Sequence, residues 1–156
     1  MKKLILFFLL AACGFKPMFS GNDTDIYVAP ISGINGIELR NSLNAKFGGQ
    51  RESDAAYTLT VNLSNPLTKY KALETTGDAT WQEINVRASY VLSRNGKKIV
   101  SGSESASESY SFVRYLVASN SAYNNAVSNS INVLSEKISA KVIAATSQYE
   151  SQQNAD

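Results

Sequence analysis

Trp81-Gln82-Glu83-Ile84-Asn85-Val86-Arg87-Ala88-Ser89-Tyr90-Val91-Leu92-Ser93-Arg94, followed by Asn95-Gly96 and Lys97-Lys98-Ile99-Val100, is the stretch that decides the fold. Ile84, Val86, Ala88, Tyr90 and Leu92 fall on alternate positions, the spacing at which strand side chains share a face. Asn-Gly between two such runs marks a hairpin, because both central residues of a type I′ turn need positive φ. A two-residue turn pairs Arg94 with Lys97. The same register sets Leu92 against Ile99, Val91 against Val100, Arg87 against Glu104 and Trp81 against Tyr110. An opposite-charge pair and an aromatic pair then face each other across the ladder, as stable hairpins favour. A bulge in the ladder would shift the far pairs. Ser101 to Ser111 alternates serine with Gly102, Glu104, Ala106, Glu108 and Tyr110, the pattern of an exposed strand.

Outward from the hairpin the pattern continues. Tyr57, Leu59, Val61 and Leu63 alternate with Thr58, Thr60 and Asn62, which predicts a half-buried strand. The polar stretch Ser64 to Thr80, with Pro66 and Gly77, reads as the longest loop and carries Lys69 and Lys71. Asp25 to Ile31 reads as a first strand, which Pro30 confines to an edge or ends. Leu39, Leu43 and Phe47 lie four apart before Gly48-Gly49, predicting a helix over Ile34 to Phe47. Tyr123, Val127, Ile131, Leu134, Ile138, Val142, Ala145 and Tyr149 form one long helical stripe. Residues 151–156 should fray. The order β-α-β-β-β-α gives an α+β domain over residues 25–150, with two helices packed on one face of a mainly antiparallel four-stranded sheet.

The 156 residues suffice for one core, and 44% hydrophobic with 18% charged residues is a globular balance. Histidine is absent and cysteine occurs once. Imidazole acid–base chemistry, His-containing metal sites and intramolecular disulfides are thereby excluded. Neither a Gly-x-Ser-x-Gly elbow nor a Ser-x-x-Lys pair is present. A non-enzymatic binding protein without cofactor or metal is expected.

Lys2 and Lys3 precede the apolar run Leu4 to Ala12, too short to span a bilayer and typical of a secretory signal. Leu10-Ala11-Ala12-Cys13 resembles a bacterial lipobox, which implies cleavage after residue 12, a diacylglycerol on the Cys13 thiol and an acyl chain on its amine. Several acyl chains anchor durably where one does not. Residues 1–12 are then the signal peptide and 13–24 a lipidated tether. Loss of Lys2 and Lys3 takes the 15 basic side chains to 13, against 13 acidic ones. A neutral domain has no global field to gather nucleic acid. Its tether reaches roughly 40 Å when extended, so the domain stays close to its membrane. Gly14, where Asp would imply retention in the inner membrane, points by resemblance to the periplasmic face of the outer membrane.

The run Cys13-Gly14-Phe15-Lys16-Pro17-Met18-Phe19 behind the lipobox resembles the start of the LPS-assembly lipoproteins, LptE. The β-α-β-β-β-α order and the long last helix are similar to that family's architecture. The resemblance implies a lipoprotein that plugs an outer-membrane β-barrel of the LptD type and assists delivery of lipopolysaccharide to the cell surface. The Phe15-Pro17-Phe19 collar would either touch the barrel or pack on the domain. Arg94, Lys97 and Lys98 at the hairpin tip, with Lys69 and Lys71, are candidate contacts for lipid A phosphates. The same cations also suit solubility and protection of a sheet edge. A second function fits the sequence: an auxiliary lipoprotein of an intermembrane lipid-transport system, which a hydrophobic groove would favour.

Overall fold

The computed structural model describes residues 24–73, 75, 79–112 and 115–153. The signal peptide, Cys13, Gly14 and the Phe15-Pro17-Phe19 collar lie outside them. The elements run β1 (Ile26–Val28), α1 (Ile34–Phe47), β2 (Tyr57–Leu63), β3 (Leu67–Leu73), β4 (Ala79–Arg94), β5 (Lys97–Ser111) and α2 (Leu116–Gln153). Among the described residues this is an α+β fold with two helices and five strands. The fifth strand is β3, in the stretch that sequence alone reads as loop. Thr68, Lys69, Tyr70 and Lys71 are polar or exposed, so no alternation of burial announces the strand. Backbone pairing with β4 makes it.

β4 organises the sheet. One edge pairs with β5 along its whole length; the other pairs with β2 through Ala88 to Arg94 and with β3 through Ala79 to Asn85. β2 and β3 run the same way along that edge, interrupted at Ser64-Asn65-Pro66, where proline removes a donor. β1 adds a short parallel edge to β2. Arg40 Nε donates to Val28 O at 3.0 Å, and Pro30 follows at once, so this edge ends quickly.

The hairpin turn is where the sequence places it. Asn95 and Gly96 take φ of 50° and 76°, as a type I′ turn demands. The register holds for Arg94–Lys97 and Ser93–Lys98, then shifts by one residue between Leu92 and Ser93. Past that bulge Leu92 faces Val100, Arg87 faces Ser105, Ala88 faces Glu104 and Trp81 faces Ser111. The Arg87–Glu104 and Trp81–Tyr110 pairs therefore do not form. An extra residue at Ile99 turns the alternate residues of β5 so that Gly102, Ala106 and Tyr110 meet the core.

Both helices share one core with the sheet. Leu39, Leu43 and Phe47 of α1, Ile131, Leu134, Ile138 and Val142 of α2, and Leu59, Ile84, Val86 and Leu92 of the strands are fully enclosed. Truncating any of these large side chains to Ala is worth about 2–5 kcal/mol. Ser130, Ser135 and Ser139 line the buried stripe of α2 beside the apolar residues, so the helix packs through small side chains as well as large. Ser128 Oγ donates to Glu38, and Ser42 Oγ donates to Asn132 Oδ1 at 3.2 Å, which stitches α1 to α2. The helix continues through Gln153, so residues 151–153 are its last turn and not a fraying tail.

Candidate functional site

The turn residues, the start of β1 and the end of α2 meet at one end of the sheet. Ile26 pairs with Tyr57 and Tyr57 with Arg94, so the chain enters β1 two strands from the hairpin tip, about 10 Å away. Arg94 itself is committed to the fold. Its guanidinium lies 5.2 Å from the centre of the Tyr57 ring and 5.7 Å from that of Tyr149. It donates to Tyr57 Oη at 3.4 Å and to Gln153 Oε1 at 3.2 Å. Tyr57 Oη in turn donates to Glu150 Oε1 at 3.1 Å, and the two tyrosine rings meet edge to face. Burial of Tyr57, reinforced by its bond to the Glu150 carboxylate, raises the phenol pKa above its ordinary value. The hairpin is thereby clamped to the last turns of α2.

Both hydrogen-bond partners of Arg94 are neutral, but the Glu150 carboxylate is bonded to the same Tyr57 Oη, so the excess positive charge of the tip rests on Lys97 and Lys98. Beside it a cleft of about 460 Å³ is lined by Arg94, Asn95, Lys97, Tyr149 and Gln153. Lys97 and Lys98 are both exposed; Lys97 lines the cleft, while Lys98 pairs with Ser93 and so stands on the other face of the hairpin. Charged hydrogen bonds of this kind hold phosphate or carboxylate oxygens.

Lys69 and Lys71 stand elsewhere. They lie on β3, not on a loop, and Lys69 pairs in register with Glu83. Eleven positions of β4 separate Glu83 from Arg94, about 37 Å along the strand. Lys71 Nζ is 3.0 Å from Glu83 Oε2. The five candidate cations thus form two groups at opposite ends of the sheet. Glu104, expected against Arg87, pairs instead with Lys141 of α2, which raises the Lys141 pKa through that bond.

Two further surfaces stand out, the first of them already legible in the alternation of Ser101 to Ser111. On the outer face of β5, Ser101, Ser103, Ser105, Ser107, Ser109 and Ser111 project in one exposed row. Glu83, Asn85, Arg87 and Ser89 of β4 stand beside them, and Asn85 Nδ2 donates to Ser107 Oγ at 2.7 Å. The serine row is long and hydroxylic, with Glu83 and Arg87 as the charged side chains next to it on β4. At the end far from the tip, Leu67, Tyr70, Trp81, Tyr115, Leu116 and Val117 are exposed. The aromatic run at residues 110–117 was the available signal for the latter. Buried Tyr110 donates to Gln82 Oε1 at 2.6 Å and packs edge-on against Tyr123, fixing the start of α2 to this end.

Among the described residues no cluster of metal-ligating side chains occurs, and no helix is long and apolar enough to cross a membrane. A cleft of about 430 Å³ between the helices is lined by Ala45, Lys46, Glu136, Ser139 and Ala140, a mixed and partly charged wall.

No family model and no curated protein matches the sequence. Solved structures do match the fold. Rare lipoprotein B from Shewanella oneidensis superposes with a TM-score of 0.65 at 14% identity, over 80% of this chain and 98% of that one. Lipoprotein B from Nitrosomonas europaea gives 0.61 at 12%, over 78% and 83%. A minor lipoprotein from Acinetobacter baumannii gives 0.56 at 16%, over 77% and 91%. The chain has a fold that bacterial lipoproteins carry.

Proposed function

We propose that this chain is an outer-membrane lipoprotein, anchored through acylated Cys13 on the periplasmic face, that binds and plugs an LptD-like β-barrel. In that position it assists the assembly and transport of lipopolysaccharide to the cell surface. The observation that carries the reading is the serine row of β5. A fold whose sheet exposes an extended hydroxylic row complements the polar interior of an outer-membrane barrel. The shared fold with rare lipoprotein B and the Cys13-to-Phe19 resemblance support it. The mixed lining of the interhelical cleft gives no support to the lipid-carrying alternative, which wants an apolar groove.

No residue is assigned catalysis. The domain acts by binding, with shape complementarity to the barrel as its main affinity and lipopolysaccharide met through Lys97 and Lys98 or through Lys69. Purification of the acylated chain from detergent-solubilised outer membrane tests the reading. An LptD-like barrel should co-purify, and depletion should reduce folded barrel and admit large hydrophobic antibiotics. Unchanged barrel assembly and permeability on depletion would overturn it. Cys13→Ala should leave unprocessed precursor or release the protein from the membrane, and mass spectrometry of the native N-terminus should show three acyl chains.

A further inference from the structure

We infer that the hairpin tip, through Lys97, Lys98 and the cleft beside Arg94, binds the phosphate headgroups of anionic phospholipids in the same leaflet that holds the Cys13 anchor; the inference rests on the lipidation reading above. Three observations converge. The first is position. The described chain starts at Thr24, whose hydroxyl donates to Phe47 O at 3.2 Å, and enters β1 two strands from Arg94. Ten residues lie between Cys13 and Thr24, a tether of at most about 40 Å. The tether therefore joins the fold at the same end as the tip. Leu116, at the other end of the 38-residue α2, lies about 57 Å away along the helix.

The second observation is charge. The turn and its flanks carry Arg94, Lys97 and Lys98 with no acidic residue from Ser93 to Ser103. Lys46 ends α1 at the same end, one residue from the Phe47 carbonyl that Thr24 meets. Asp25, Glu52, Asp54 and Glu150 also belong to this end. Glu150, bonded to the Tyr57 Oη that Arg94 also meets, offsets Arg94, and none of the four is on the hairpin itself, which leaves Lys97 and Lys98 as its unpaired cations among the described residues. The third is shape. Arg94 is held by Tyr57 and Tyr149, so one face of the cleft is a fixed guanidinium while Lys97 and Lys98 remain exposed. A fixed Arg with Lys97 at an open cleft, and Lys98 on the other face of the same tip, presents cations to phosphate groups spread over a lipid surface. The tip thereby sets which way the domain faces as it leaves its anchor.

Amine-reactive labelling of the mature acylated protein tests this, with each lysine read by mass spectrometry. The protein is reconstituted in phosphatidylcholine vesicles with and without phosphatidylglycerol. With phosphatidylglycerol, Lys97 and Lys98 should label about fivefold more slowly each, following roughly 1 kcal/mol per cation at an anionic surface. Lys69, at the far end, should label at the same rate on both. High salt should abolish the protection. Equal labelling on both vesicles would overturn the inference. Equal protection by inorganic phosphate on neutral vesicles would reduce the cleft to a free-anion site. Protection only when lipopolysaccharide replaces phosphatidylglycerol would assign the tip to lipopolysaccharide and overturn the leaflet reading. Failure of lipidation itself shows separately, as an unmodified Cys13 in the same mass spectra, and barrel binding is read independently by co-purification.

Discussion

The phenol of Tyr90 lies across Gly102 on the neighbouring strand. The two are paired in register, and a Cβ on Gly102 would stand 2.6 Å from Tyr90 Oη and 2.8 Å from Cζ. Tyr90 is 3% exposed, so the ring fills the place that a side chain on β5 would take. An aromatic ring covering a strand glycine pins register as well as filling space. Gly102→Val is expected to lower stability by about 1–3 kcal/mol, the range for overpacking a closed core. Tyr90→Leu should relieve part of that loss, so the double mutant should be less destabilised than the two single losses combined. Denaturant melts measure all three. A midpoint unmoved by Gly102→Val would mean that the ring does not occupy this space.

Stability should fall in alkali, and the sign follows from the titrating groups. Burial raises the phenol pKa of Tyr57, Tyr90 and Tyr110, and the bond to Glu104 raises that of Lys141. Each group therefore holds its proton more tightly folded than unfolded. Its contribution is complete below the unfolded value, about 10 for these side chains, and is lost as pH rises through the folded one. The melting temperature should be flat through neutrality and drop above about pH 10. Tyr90→Phe should flatten that drop. A wild-type melting temperature constant to pH 11 would contradict the assignment.

The hairpin, α1 and the buried face of β4 were legible because each carries one unbroken period. Ile84 to Leu92 never leave phase, and Asn95-Gly96 admits one turn. The register beyond Leu92 was not legible, because a bulge leaves both alternations intact and only changes their offset. β3 was hidden for a different reason. Leu67 to Ala72 are exposed, and the order of the strand comes from hydrogen bonds to β4 that no side-chain pattern encodes. The cations show the same limit. Arg94, Lys97 and Lys98 cluster in sequence and remain together, but only the fold reveals that Arg94 is held by Tyr149, 55 positions away in the chain. That Lys69 stands at the opposite end required knowing β3's direction.

Ser130 offers a test of how polar groups are tolerated in the helix stripe. It is 1% exposed, and among the described residues its Oγ has no hydrogen-bond partner. Ser135 and Ser139, equally buried, donate to Asn132 O and Glu136 O on their own helix. A buried hydroxyl left unpaired costs about 1–3 kcal/mol of desolvation. Ser130→Ala is therefore expected to leave stability unchanged or raise it by about 1 kcal/mol. Ser135→Ala should not stabilise, since a made bond is lost with the hydroxyl. If Ser130→Ala destabilised by more than Ser135→Ala, the Ser130 hydroxyl would have a partner after all.

Arg94 and the two tip lysines should separate in a single experiment, although sequence groups them. Removing Arg94 takes away a cation between two rings and two hydrogen bonds to Tyr57 and Gln153. Cation–π contacts at half-exposed sites are worth about 0.5–1 kcal/mol each, so Arg94→Ala should destabilise the domain by about 1–2 kcal/mol. It should also loosen the last turns of α2, since Gln153 loses its tie to the hairpin. Hydrogen exchange at residues 147–153 reads that directly. Lys97→Ala and Lys98→Ala, exposed and outside the clamp, should each stay within about 0.5 kcal/mol of wild type. Arg94→Lys keeps the charge but lacks the planar fork that lies between the rings, so it should resemble Arg94→Ala more than wild type. A charge reversal meant to probe lipid or lipopolysaccharide contact therefore belongs at Lys97 and Lys98, where binding changes without the fold. If Lys97→Glu with Lys98→Glu lowered the melting temperature as much as Arg94→Ala, the division into a structural arginine and two contact lysines would fail.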